Sequence, residues 1–259
     1  MSWNPVDRDT MKAFIAIILY MGLVRLPTLR MYWSTHWMFS FSIAEIMSRN
    51  DFLAILRFLH CANNADMIAR NLPAYDRLFK IRKVTDMFVK NWQRCFYPSR
   101  EISLDECIVG FKGRTYLKQY NPKKPHKWGL CMWSVADAKS GYTYGWQIFA
   151  GKGHHVLESG KGVTYDIVMN SLRENSLLDK GHHVYMDNFF SSPMLFKDLS
   201  GHWTGACGTL RVNRQLVPDA IKRANPKKGD PPIFVREGRL QFVSWQDKKK
   251  RQCYFYRPQ

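Results

Sequence analysis

Apolar side chains recur at helical spacing through the first hundred residues. The run from Ala13 to Val24, broken only by Gly22 and the hydroxyl of Tyr20, predicts a buried helix capped by Asp9 or Thr10 and ended by Pro27. It is shorter than the roughly 20 residues a membrane span needs. Arg8, Lys12 and Arg25 flank it, but Leu26-Pro27-Thr28-Leu29-Arg30 follows without a small-residue cleavage site, so a signal peptide is set aside. Ser42 predicts the start of a short second helix. Asn50 or Asp51 caps a third, with Phe52, Ile55, Leu56 and Leu59 on one face. A fourth begins after Pro73, carries Leu78, Ile81, Phe88, Trp92 and Phe96 on one stripe, and stops at Pro98.

The period changes at Glu101. Glu101 to Asp105 alternates polar and apolar, Leu130 to Ala136 is a second strand, and Asp137 to Gly141 is turn chemistry before a third strand, Tyr142 to Ala150. Thr164 caps a helix with Ile167, Val168 and Leu172 inward. His182 to Met186 is a short strand, Ser192-Pro193 starts a helix that Gly201 closes, and Trp203 to Leu210 is another strand. Three antiparallel strands followed by alternating helices and strands is the order of an RNase H-like mixed sheet, an α+β or α/β fold preceded by a helical region. Beyond Pro218 come a short helix, a proline loop, and strands at Phe234–Val243 and Gln252–Tyr256.

Charge narrows the class of partner. The 259 residues hold 39 Lys and Arg against 21 Asp and Glu, a formal +18, which points to a polyanion as partner; charge alone does not separate DNA binding from a soluble basic enzyme or a ribosome-associated fold. Hydrophobic residues at 46% exclude a disordered chain. The six cysteines include no C-x-x-C pair and read as free, mostly buried thiols. His154-His155 and His182-His183 are adjacent pairs, and neighbours on a strand point to opposite faces, so metal chelation by them is not expected.

Asp105 and Asp187 each follow an apolar residue on a predicted core strand. If those strands are neighbours, two carboxylates converge, as two-metal phosphodiester chemistry requires. The alternative is two unrelated turn or cap aspartates. Glu106 and Asn188 are adjacent polar groups. Arg114, Lys118, Lys123, Lys124 and Lys127 follow the first acidic strand and predict a DNA-backbone surface beside the acids, or else a solubilising loop.

Ser103-Leu104-Asp105-Glu106, Gly110 to Arg114, Tyr120 to Pro125 and Lys127-Trp128-Gly129 resemble the piggyBac transposase signature around its first catalytic aspartate. Tyr185 to Ser192 is similar to the family's second motif, and Gly208-Thr209-Leu210-Arg211-Val212-Asn213-Arg214 to a third. The resemblance implies that Asp105 and Asp187 are two catalytic, Mg²⁺-binding aspartates of a three-aspartate set. It also implies DNA cleavage and strand transfer at TTAA targets, a homodimer, a nuclear location, and neither a membrane nor a small-molecule substrate. It further implies three regions: 1–100, the first half of a helical DNA-binding and dimerisation domain; 101–214, an incomplete RNase H-like core; and 215–259, the start of a β-rich insertion. The third aspartate belongs to a Gly-Gly-Val-Asp-like motif that this sequence does not contain; Asp219, Asp230 and Asp247 stand in other contexts. The cysteine-rich zinc module and the acidic N-terminus are missing as well. The expectation is therefore an inactive transposase-derived chain with apolar surface left uncovered in 1–100. The alternatives are a non-catalytic DNA-binding or interaction protein, and a nuclease using Asp105, Glu106 and Asp187.

Overall fold

The computed structural model describes residues 5–39, 41–122, 124–151, 159–246 and, for the backbone alone, 250–256. Two compact units divide at Ile81 and Arg82.

The first unit is helical. Helix α1 (Arg8–Leu23) is capped by Asp7, whose carboxylate accepts from the Thr10 N–H at 2.7 Å, rather than by Asp9 or Thr10. The helix is only partly buried. Phe14 and Ile17 are enclosed, whereas Ile15, Ile18, Leu19 and Leu23 are exposed. An apolar run turns through every direction when helical, and this unit's small core covers one face of it. Ser42 precedes α2 (Ile43–Ile46) without a capping bond from its hydroxyl. Ser48, not Asn50 or Asp51, caps α3 (Arg49–Phe58), accepting from the Asp51 N–H. Phe52 and Ile55 are buried, but Leu56 and Leu59 are exposed. The Phe52 ring lies 5.0 Å from Phe14 and 5.1 Å from Trp33, and the Trp33 indole donates to the Met47 carbonyl.

The second unit is built on a mixed sheet. Helix α4 (Phe79–Cys95), which starts later than expected, leads into it; the unit therefore begins well before residue 100. Its aromatic stripe packs laterally rather than becoming buried: Trp92 meets Trp146 edge-on at 4.6 Å, Phe96 stacks on Tyr142 at 4.5 Å, and Phe88 stays exposed. The strands are β1 (Glu101–Gly110), β2 (Lys118–Tyr120), β3 (Trp128–Asp137), β4 (Thr143–Ile148), β5 (His183–Met186), β6 (Gly205–Thr209), β7 (Ile233–Glu237), β8 (Leu240–Gln246) and β9 (Lys250–Tyr256). Strands β1, β3 and β4 pair antiparallel, and β5 and β6 continue from β1 in parallel, the RNase H-like order.

The parallel strands β1, β5 and β6 require crossovers, and α5 (Val163–Glu174) and α6 (Pro193–Gly201) stand between them in the chain. The Ser192 hydroxyl accepts from Leu195 N–H, with Pro193 in the first turn, as the sequence predicts. Ile102, Leu104, Val184 and Ala206 share one core with Val168 and Leu172 of α5 and with Leu195, Phe196 and Leu199 of α6.

Three local expectations change. β2, unpredicted, lies in the basic loop and pairs with β3. Phe234–Val243 is not one strand but part of the hairpin β7–β8, turned at Gly238 with φ +58°. Trp203 lies before β6, not in it. The segment after 215 adds α7 (Asp219–Arg223) and extends the same sheet, because β9 pairs antiparallel with β6.

Asp137 pins the β3–β4 turn. Its carboxylate accepts from the Ser140 hydroxyl and N–H and from the Ser99 N–H, all at 2.7 Å. These bonds, Ser140's first, hold its pKa well below the usual carboxylate range. Cys61, Cys95 and Cys107 are free and exposed, against the expectation of burial; Cys131 is free and buried. His154-His155 lies outside the described residues. No described helix is long and apolar enough to cross a membrane.

Candidate carboxylate site

The register of β1 on β5 sets the site. Leu104 pairs with Met186, so Asp105 and Asp187 are each one residue further on, along neighbouring parallel strands about 4.8 Å apart. Alternation directs the buried Leu104 into the core and the exposed Asp105 to the opposite face, and Asp187, also exposed, directly follows the buried Met186 that ends β5. The register thus sets the two residues that the sequence singled out just beyond one paired position, Leu104–Met186.

Asp187 opens a tight turn. Its Oδ1 accepts from Phe189 N–H at 2.9 Å, and its carbonyl accepts from both the N–H and the hydroxyl of the fully buried Ser191. Phe190, 1% exposed, anchors the turn in the core. Gly208 on β6 lies against it so closely that a Cβ there would collide with the Ser191 hydroxyl and the Met186 carbonyl. Two arginines from the segment after β6 clamp the outer side. Arg211 Nε donates to the Asn188 side chain at 3.1 Å, and an Arg214 guanidinium N–H donates to the Phe189 carbonyl at 2.6 Å. Arg211 and Arg214 had no role assigned from the residues themselves. Only the pairing of β6 beside β5 brings them to this turn.

Asp105 is simpler. One carboxylate oxygen accepts from the next residue's N–H, Glu106, at 2.7 Å. A groove of about 410 Å³ runs past Asp105 to Lys124 and His126. Glu106 pairs with Trp133 on the core side of β1 and accepts a hydrogen bond from the Cys131 thiol at 3.3 Å. Burial first, and then the Glu106 charge, pushes the Cys131 thiol up to about 12. Glu106 thus sits on the core side of β1, opposite to Asp105, while also bordering the groove. Asp219 pairs with Lys222, and Asp230 accepts from Lys227 N–H. Asp247 lies outside the described residues. Among the described residues no three His, Cys, Asp or Glu side chains group to hold a metal. Two hard oxygen donors on one exposed edge suit one hydrated divalent cation.

The basic residues divide. Arg114 and Lys127 are exposed. The Lys118 ammonium donates to the Gly113 carbonyl and lies 5.3 Å from the Trp128 ring centre. The Lys124 ammonium donates to the Glu106 carbonyl at 2.8 Å, beside Asp105. Lys123 lies outside the described residues.

Comparison with known proteins points the same way. A family model described as "Transposase IS4" matches residues 1–259. The human protein "PiggyBac transposable element-derived protein 3" is 31% identical over 208 residues, 77% of this chain and 33% of that protein. Human "PiggyBac transposable element-derived protein 2" is 26% identical over 213 residues, 79% of this chain and 34% of its own length. A cryo-EM structure of a piggyBac transposase synaptic complex with hairpin DNA matches the fold with a TM-score of 0.85 at 22% identity, covering 98% of this chain and 54% of that one. The chain thus spans about a third of those two relatives and about half of the solved transposase.

Proposed function

This chain belongs to the piggyBac transposase family, and from that premise we propose that it is a transposase-derived, DNA-binding protein whose Asp105 and Asp187 hold one Mg²⁺-class ion. The observation that supports the reading is the Leu104–Met186 register, from which Asp105 and Asp187 are each the next residue along the chain. Two carboxylates can share one ion. A second ion needs further anionic oxygens to offset the repulsion between two dications. Asp105 and Asp187 hold one ion beside the bound phosphate backbone. The bound ion supplies Lewis acidity toward a phosphate oxygen; the protein positions Asp187 through Ser191, Gly208, Arg211 and Arg214, and Asp105 through β1. Arg114, Lys118, Lys123, Lys124 and Lys127 form the proposed backbone contact. A homodimer and a nuclear location belong to the same proposal, checked by light scattering and by imaging the tagged chain.

Calorimetry with Mn²⁺, with Mg²⁺ in parallel, tests the metal reading. Asp105→Asn and Asp187→Asn are each expected to lower affinity at least tenfold with little change in unfolding midpoint. Arg214→Gln, which loosens the Asp187 turn, should lower it less. Metal affinity that ignores both aspartate substitutions sinks the site. Mg²⁺-dependent nicking by the purified chain, lost in both variants, would extend the reading from metal binding to catalysis. A non-catalytic DNA-binding role is the second reading. It is favoured if DNA affinity falls steeply with salt while no metal binds.

A further inference from the structure

A second surface stands at the other end of the same strands. Residues 97–100 lead into β1, residues 180–182 into β5, and Trp203 into β6, so the cleft they line lies where the parallel strands begin. Arg100 is five positions before Asp105, about 17 Å along an extended strand. The cleft measures about 520 Å³, within the roughly 300–1,000 Å³ typical of ligand sites.

Its lining combines exposed aromatic rings with cations. Tyr97 is 62% exposed and Trp203 69%. Arg100 and Lys180 are exposed, and the Lys180 ammonium sits 5.8 Å from the Tyr97 ring centre. No acidic side chain is among the described residues that line it. At its floor His182 is 3% exposed, bonded through Nδ1 to the Ser99 carbonyl, while its buried Nε2 has no hydrogen-bond partner. Burial lowers its pKa.

Trp203 is the informative residue. It follows the α6 C-cap with φ +49°, a left-handed position where glycine is at ease and a bulky side chain is an outlier. Backbone bonds from Trp203 N–H to Ser200 and from Thr204 N–H to Leu199 hold it there. Burial does not account for tryptophan at this position, because the ring faces solvent. A strained, exposed aromatic residue beside two cations is the composition of a platform on which a base stacks while its phosphate is neutralised.

We propose that this cleft binds single-stranded nucleic acid, Trp203 and Tyr97 stacking unpaired bases while Arg100 and Lys180 take the adjoining phosphates. The site does not depend on Asp105, Asp187 or any bound metal.

The test uses the whole chain and a short oligo-dT bearing 5-iodouracil, photocrosslinked and mapped by mass spectrometry. Crosslinks are expected on the peptides holding Trp203 or Tyr97. Trp203→Gly should lower oligo-dT affinity about tenfold. The unfolding midpoint should hold or rise, since glycine fits the left-handed backbone. Trp203→Phe should retain most of the binding. Lys180→Gln should reduce the slope of log affinity against log salt by about 0.7. Duplex DNA at equal phosphate concentration should compete poorly for the Trp203 crosslink. The proposal is overturned if crosslinks map only elsewhere, if Trp203→Gly and Tyr97→Ala both bind like the parent, or if duplex competes as well as the single strand.

Discussion

The two units use similar apolar residues to different ends. In Arg82–Gln259, strands distant in sequence pair, and α5 and α6 share a core with them, so Ile102, Leu172, Val184 and Phe196 are all fully buried. In Met1–Ile81, short helices gather around Phe14, Ile17 and Phe52, while Leu19, Leu23, Trp37, Ile46 and Phe58 face outward. The difference lies in closure. A sheet with crossover helices covers the apolar face of each element with the next. Three short helices and their connections, taken alone, cannot enclose every face of an apolar helix such as α1. An exposed apolar set of this kind is commonly a surface for something else to cover.

Three variants would break or sharpen that contrast. The largest effect belongs to the closed unit: Phe196→Ala leaves a cavity beside α5 and β6 and should cost about 3–5 kcal/mol in urea unfolding. A loss below about 1 kcal/mol would mean that this core is looser than its burial indicates. Next is Asp137→Asn, expected to cost about 1–3 kcal/mol, because a buried, charge-assisted acceptor is weakened. The same residue sets a pH dependence. Its folded pKa is depressed, so the stability it contributes is present above the unfolded value near 3.9 and is lost as pH falls through the folded value. Acid titration of the parent should therefore show a loss below about pH 4 that Asp137→Asn lacks. An identical acid profile for the two proteins would remove Asp137 from the account. The smallest effect belongs to the open unit. Leu19→Gln with Leu23→Gln should change stability by no more than about 0.5 kcal/mol while raising solubility in sedimentation assays. A large destabilisation would show that α1 buries this face in the folded chain.

Much of the second unit was legible because its signals are local. The Ser192-Pro193 start, the Asp137–Gly141 turn and the short apolar run ending at Asp187 are written in adjacent residues, and each stands where the pattern put it. The caps of α1 and α3 were displaced by two or three residues, because several Ser, Asp and Asn residues compete and backbone geometry selects among them. The Gly238–Arg239 turn was missed because the apolar residues on either side read as one strand.

The sequence by itself determined the family and the order of the main core helices and strands, and it singled out the two aspartates, since each of these readings depends on residue type at fixed spacing. Only the tertiary structure decided what those aspartates stand beside. Parallel pairing of β1 with β5, between residues some eighty positions apart, carries Asp105 next to Asp187. Pairing of β6 with β5 then brings Gly208, Arg211 and Arg214 to the Asp187 turn. The same strands, at their other ends, gather Tyr97, Lys180 and Trp203 into one cleft. No periodicity encodes such neighbours, because a strand's partner is fixed by which faces are buried together and not by the strand's own pattern.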